Sequence, residues 1–150
     1  MRVVIQRVKY ASVTVEHQII GEIKTGLLVF AGFEETDNEE DFDWIIKKII
    51  QLRIFPDENS VMNISLQDIE GELLIVSQFT LHASTKKGNR PSYIKSSPPE
   101  LAKNQYLNFV ELMKSKYLGK IQTGKFGADM KVDLQNDGPV TICIDSKNKE

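Results

Sequence analysis

Apolar residues in this chain recur with two different periods, and the places where the period changes lay out its elements. Residues 2–8 are a mixed apolar strand. Ala11, Val13 and Val15 then alternate with Ser12, Thr14 and Glu16, the period of a half-buried strand. A turn near His17-Gln18 leads into Ile19-Ile20-Gly21-Glu22-Ile23. After Gly26, the run Leu27-Leu28-Val29-Phe30-Ala31-Gly32-Phe33 is almost continuously apolar, which suits a strand covered on both faces. Thr36-Asp37-Asn38-Glu39 has the form of a capping box. Phe42, Ile45, Ile46, Ile49 and Leu52 follow at helical spacing, so this helix offers one face to a sheet. Pro56-Asp57-Glu58-Asn59 punctuates the chain, residues 60–70 show no period, and Gly71 precedes a second buried strand from Leu73 to Leu81.

Residues 82–99 read as a long polar loop that begins with His82. Ser97-Pro98-Pro99-Glu100 predicts a second helix, with serine as N-cap, proline at the first helical position and glutamate at N3. Its apolar stripe is Ala102, Tyr106, Phe109, Val110, Met113 and Tyr117, and Gly119 marks its stop. Met130, Val132 and Leu134 alternate, as do Val140, Ile142 and Ile144, which predicts two strands flanking Asn136-Asp137-Gly138-Pro139. The tail 146–150 is polar and expected to fray. The order strands, helix, strand, helix, strands predicts a single α+β domain over 1–150. Its sheet is expected to be mainly antiparallel or an open barrel, with two main helices packed on it.

The length of 150 residues is that of one domain and buries about two-thirds of the extended surface. With 41% hydrophobic and 27% charged residues, the chain has a globular composition. A formal net charge of -2 excludes a general polycation, so any nucleic-acid contact must come from a local patch. The one cysteine, Cys143, cannot form an intramolecular disulfide and fits a reducing cytoplasm. No run is long or apolar enough for a signal peptide or a membrane span.

The usual catalytic signatures are missing. His17 and His82 have no HxxxH or CxxC company, so no metal or other cofactor is expected. Ser77 is not in a nucleophile elbow, Cys143 sits in a strand alternation, and Gly124-Lys125-Phe126-Gly127 is too short for a phosphate loop. The acidic residues between Glu34 and Asp41 suit a helix start. By contrast, no acidic residue occurs from Leu73 to Pro99, while Lys86, Lys87, Arg90 and Lys95 do. This loop is either a phosphate contact or a solvated basic surface, and Tyr93 adds a surface for stacking. In a regular strand, Gln78 and Thr80 would share one face and Ser77 and Phe79 the other. Asp137-Gly138 alone would make a hairpin turn. Pro139 then removes a donor where pairing should resume. The Gly-Pro bond is either cis, which turns both carbonyls the same way, or a trans bond that ends an edge strand.

Four segments together carry a resemblance: Met1–Val8, Ser77-Gln78-Phe79-Thr80-Leu81, Lys87-Gly88-Asn89-Arg90-Pro91 and Asn136-Asp137-Gly138-Pro139-Val140-Thr141. The chain resembles the D-aminoacyl-tRNA deacylase family nearly from end to end. The resemblance implies a cytoplasmic homodimer that hydrolyses the ester joining a D-amino acid, or glycine, to the terminal adenosine of tRNA. It implies a cis Gly138-Pro139 that enters the partner subunit's site, whose floor is Ser77, Gln78, Phe79 and Thr80. Arg7 would brace the Gly-Pro turn, and Phe126 and Met130 would hold the terminal adenosine.

A rigid main-chain wall would reject L side chains by exclusion and let glycine through. The ester is already activated, so the Phe79 and Thr80 amides, with help from the tRNA 2′-hydroxyl, would suffice for hydrolysis. A Thr80 nucleophile is disfavoured, because no base lies near it in sequence. Two other classes compete. One is a non-catalytic nucleic-acid-binding module using the 86–95 loop, and the other is a small-molecule esterase on a similar scaffold.

Overall fold

The computed structural model describes residues 1–149. Its organising element is one long strand, β1 (Arg2–Val15), to which three others pair antiparallel. β2 (Gln18–Ile23) takes its C-terminal half and β3 (Gly26–Gly32) its N-terminal half. Helix α1 (Glu39–Gln51) crosses over to β6 (Glu72–Ser77), which pairs parallel to β3. Helix α2 (Pro99–Lys116) crosses over to β7 (Ile121–Thr123), parallel to β6. The last strand, β8 (Lys131–Asp145), returns antiparallel along the free edge of β1. β2 curls against β6 and β7, and a Cβ at Gly21 would lie 3.0 Å from the Thr123 carbonyl. The result is the expected α+β fold, a mainly antiparallel and nearly closed barrel-like sheet with two helices.

Two cores explain the apolar runs. Leu27, Val29, Leu73 and Ile75 face the helices, against Ile45, Ile49, Phe109 and Met113. Leu28, Leu74 and Val76 point into the curl of the sheet, with Val8, Ala11, Val13 and Val15. β3 and β6 are therefore covered on both sides. β1 changes core along its length: Val3 and Ile5 belong to the first, Val8 onward to the second. An irregularity between Val8 and Tyr10, where Lys9 has no partner on β8, reverses which residues point inward.

Several expected boundaries move. The helix cap is Asn38, not Thr36: the Asn38 carboxamide accepts from the Glu40 and Asp41 amides, and Asp41 returns a bond to the Asn38 N–H at 3.0 Å. Asp37 is free for another task, pairing with the buried Met1 amine. At α2 the cap position is Pro98. Ser97 is buried, and its hydroxyl donates to Gln105 Oε1 at 2.6 Å. The span without a period supplies the second strand of a small hairpin, β4 (Phe55–Pro56) with β5 (Met62–Ile64), closed by the Asp57 side chain. The strand expected to reach Leu81 stops at Ser77, and Phe79–His82 form a 3₁₀ turn.

The two strands expected around Asn136–Pro139 are one strand on one partner. Gln6 pairs with Thr141 and Val8 with Asn136, so the four residues 137–140 bulge out opposite Arg7 alone. The tail is pinned rather than frayed through residue 147. Ser146 is buried and its N–H donates to the Met1 carbonyl at 2.9 Å, while Lys147 Nζ donates to Asp41 Oδ2 at 2.5 Å. Glu150 lies outside the described residues.

Candidate active site

The site begins where β6 runs out of partners. The Gln78 N–H makes the last rung to β3, donating to the Ala31 carbonyl at 2.7 Å. The backbone then turns at Gln78 (φ -147°, ψ 85°) into the 3₁₀ turn. Leu81 N–H donates back to Gln78 O at 3.3 Å and Ala83 N–H to Thr80 O at 3.0 Å. The first N–H groups of any helical turn have no internal acceptor. Here those are the Phe79 and Thr80 amides, which meet no acceptor among the described residues. The expected division of Ser77–Thr80 between two strand faces therefore does not hold. Gln78 and Thr80 instead meet directly, the carboxamide of Gln78 donating to Thr80 Oγ1. A neutral carboxamide is a poor base, so this contact orients the hydroxyl without activating it.

Ser77, Gln78 and Phe79 line a cavity of about 620 Å³ whose other walls include Phe30, Phe33, Phe126 and Met130. Phe126 packs on Tyr106, ring centroids 5.9 Å apart. Tyr106 is buried and donates to the Ile75 carbonyl at 2.9 Å, two residues before Ser77. Burial pushes its phenol up to about 12, with a lesser opposing effect from the Thr123 side chain. Tyr106 is thus a fixed donor post, not an acid. Met130 Sδ lies so close to Gly124 that a Cβ there would sit 2.7 Å from it. Glycine at that position lets the sulfur reach the wall.

The C-terminal end of the basic loop, through Tyr93 and Ser96, lines this cavity, while its four cations do not. Reciprocal bonds between Ser84 and Ser92, at 2.8 and 2.9 Å, pinch its base. Tyr93 meets Phe79 edge-on with centroids 4.9 Å apart, and Ser96 Oγ donates to the Phe79 carbonyl at 3.0 Å. Lys86, Lys87, Arg90 and Lys95 are all exposed and carry no ion pair among the described residues. His82, expected in this loop, is instead buried on the 3₁₀ turn with Nδ1 3.2 Å from Glu34 Oε1. The pair is close but off the hydrogen-bonding axis.

Arg7, Gly138 and Pro139 stand apart from the cavity of their own chain. The Gly138-Pro139 bond is cis, and both residues are exposed at the tip of the β8 bulge. The bulge is held from beneath. Buried Arg7 donates to the Asp137 carbonyl at 3.0 Å and to the Ile54 carbonyl at 2.5 Å, and its guanidinium lies 3.4 Å from the Asp137 carboxylate. Lys9 reaches the same carboxylate at 3.2 Å. Asn136 spans the loop, its carboxamide accepting from Val140 N–H at 2.8 Å and donating to Val140 O at 3.2 Å. Gly138 has φ +135°, and a Cβ there would meet Val140 Cγ2 at 2.8 Å and Arg7 Nη2 at 3.0 Å. Only glycine fits this corner.

The sequence motifs thus mark two structures, a cavity that Ser77, Gln78 and Phe79 line and Thr80 does not, and a braced main-chain tip. Asn136, Ser96 and Tyr106 support them, yet none has a distinguishing signal in the sequence as a support. Each acts through contacts made only in the fold, to a partner distant in sequence or across the bulge.

An α+β barrel with a main-chain-floored cavity defines the class; comparison with known proteins gives the family. The D-Tyr-tRNA(Tyr) deacylase family model matches residues 4–145. A D-aminoacyl-tRNA deacylase of Flavobacterium johnsoniae is 62% identical over the full length of both chains. One of Bacteroides fragilis is 58% identical, again over both full lengths. A solved structure described as c-Myc DNA Unwinding Element Binding Protein superposes with a TM-score of 0.92 at 41% identity, covering 97% of this chain and 98% of its own. The chain belongs to the D-Tyr-tRNA(Tyr) deacylase family.

Proposed function

We propose that this protein hydrolyses the ester bond of D-aminoacyl-tRNA, and of glycyl-tRNA mischarged on tRNA(Ala), releasing the free amino acid and tRNA. The observation that carries the reading is the pair of unclaimed amides, Phe79 and Thr80, on the turn that leads out of an apolar cavity lined by Ser77, Gln78 and Phe79. Two parallel N–H donors are what a tetrahedral oxyanion needs, and one such donor is worth about 10²–10³ in rate. Water attacks the activated carbonyl, the amides take the developing charge, and the 2′-hydroxyl of the terminal ribose carries the proton. The terminal adenine lies against Phe126 and Met130, and Ser77 and Gln78 complete the floor. Lys86, Lys87, Arg90 and Lys95 meet the phosphates of the acceptor strand.

Selectivity comes from the other structure. The protein acts as a homodimer in which Gly138 and Pro139 of each subunit enter the partner's cavity. Their exposure, their separation from their own cavity and the bracing by Arg7 and Asn136 support that reading. The wall fills the space an L side chain needs, and glycine, with none, passes. The whole chain, 1–150, works as one domain in the cytoplasm, where charged tRNA is found. Among the described residues no helix is long and apolar enough to cross a membrane.

The deciding measurement is deacylation of D-tyrosyl-tRNA against L-tyrosyl-tRNA. Fast release of the D form alone is expected; equal rates, or cleavage of neither, would overturn the proposal. Thr80→Ala should retain near-normal rates, since its amide remains. A second reading, a nucleic-acid-binding module without chemistry, has in its favour the basic loop and the described DNA binding of the 41% identical neighbour. That reading predicts full biological function with a bulky residue at 138, whereas the deacylase reading predicts its loss.

A further inference from the structure

We propose that Ser96 is a positioning residue for the Thr80 amide, and that through it the basic loop is mechanically joined to the reacting centre. The argument rests on the deacylase reading of the cavity and starts from the peptide unit. The Phe79 carbonyl and the Thr80 N–H belong to one planar group and point in opposite directions. Fixing that oxygen therefore fixes the direction of that N–H. The carbonyl that shares a peptide with the other amide, Gln78 O, accepts from Leu81 N–H at 3.3 Å. The Phe79 carbonyl lies within the 3₁₀ turn and also takes a donor from outside it. It accepts from the Ser96 hydroxyl, at 3.0 Å, from the far end of the basic loop.

Ser96 is suited to this task because it stands on a fixed base. The next residue, Ser97, is buried, gives its N–H to the Phe33 carbonyl at 2.9 Å and its hydroxyl to Gln105 Oε1 at 2.6 Å. Gln105 in turn donates to the Glu34 carbonyl at 2.9 Å. On its other side Ser96 N–H donates to Tyr93 O at 2.9 Å, and the Tyr93 ring packs on Phe79. Residues 93–96 are thus a short clamp between the cationic stretch and the turn that bears the amides. Phosphates bound at Lys86, Lys87 and Arg90 would steady the clamp, so that the donor is best oriented when tRNA is engaged.

The test compares Ser96→Ala and Ser96→Thr on D-tyrosyl-tRNA, and follows the Thr80 amide by hydrogen exchange and NMR. Ser96→Ala should lower kcat about tenfold, less than the 10²–10³ of a donor removed outright, with KM within about twofold. Ser96→Thr, which keeps the hydroxyl, should restore kcat. The Thr80 amide should shift and exchange faster in the alanine variant and recover in the threonine variant. Unchanged kcat in Ser96→Ala, or an undisturbed Thr80 amide, would overturn the proposal. A wild-type protein inactive on D-tyrosyl-tRNA would instead sink the deacylase reading, while the amide measurement still decides whether Ser96 sets the turn.

Discussion

Single residues in this protein do their work through backbone atoms. Gly138 shows why: at φ +135° it occupies a region of backbone space essentially confined to glycine, where other residues cost about 1–3 kcal/mol. The added methyl of Gly138→Ala would also press on Val140 and the Arg7 guanidinium, which is itself tied to two carbonyls. The variant should therefore lose about 1–3 kcal/mol in chemical denaturation and lose D-tyrosyl-tRNA deacylation as the tip moves. A variant of full stability and full activity would show that the corner tolerates a side chain and that the wall is not built on glycine. Arg7 plays the complementary part. A guanidinium buried against two carbonyls and a carboxylate is satisfied only while the bulge keeps its shape, so the bulge and the arginine define each other.

At the scale of elements, the sequence revealed what periodicity controls and hid what tertiary contacts control. Both helices and the doubly buried β3 and β6 were legible because their apolar spacing is a direct imprint of packing. The cap of α1 was misplaced because Thr36, Asp37 and Asn38 are all plausible caps by type. Which one serves depends on Asp37 being claimed by the Met1 amine and the Glu34 N–H. Asn38→Ala should accordingly cost about 1 kcal/mol and lower Tm by a few degrees, whereas Thr36→Ala should not. Equal losses in the two would reinstate the cap at Thr36. The early end of β6 was hidden because Gln78-Phe79-Thr80-Leu81 has strand-forming composition; β3 simply has no rung beyond Ala31 to offer. The bulge of β8 looked like a hairpin because Asp-Gly has turn chemistry, while the long β1 makes both halves bind one partner. For the site, Ser77 to Phe79 stand together in the sequence, whereas Phe126 and Met130, which line the same cavity, were pointed to only by the family resemblance. Ser96 and the buried His82 were not legible, since each matters only by what folds against it.

The whole molecule is closed by its ends. β8 follows β1 to its beginning, and the chain then continues onto the N-terminus of α1, where Asp37 pairs with the Met1 amine and Asp41 with Lys147. Burial pushes the Asp41 carboxyl up, but hydrogen bonds from Lys147, the Asn38 N–H and Ser146, with the charge of Lys147, outweigh it and hold the group below its ordinary range. The Asp41 hydrogen bond raises Lys147 in turn, against some burial, aided by the charges of Asp41, Asp37 and Glu34. A depressed carboxyl stabilises the fold above its unfolded pKa and loses that contribution as pH falls through its folded value. A raised ammonium stabilises below its unfolded pKa and loses that contribution only as pH rises through its still higher folded value. The clasp should therefore be constant across neutral pH and fail first in acid, below the ordinary carboxylate value of 3.8. Thermal unfolding of wild type and Lys147→Ala should show a steady difference in Tm across neutral pH that closes as pH falls below the ordinary carboxylate value of 3.8. A difference of the same size at both extremes would mean that Lys147 acts through its aliphatic stem, packed over the chain ends, and not through its charge.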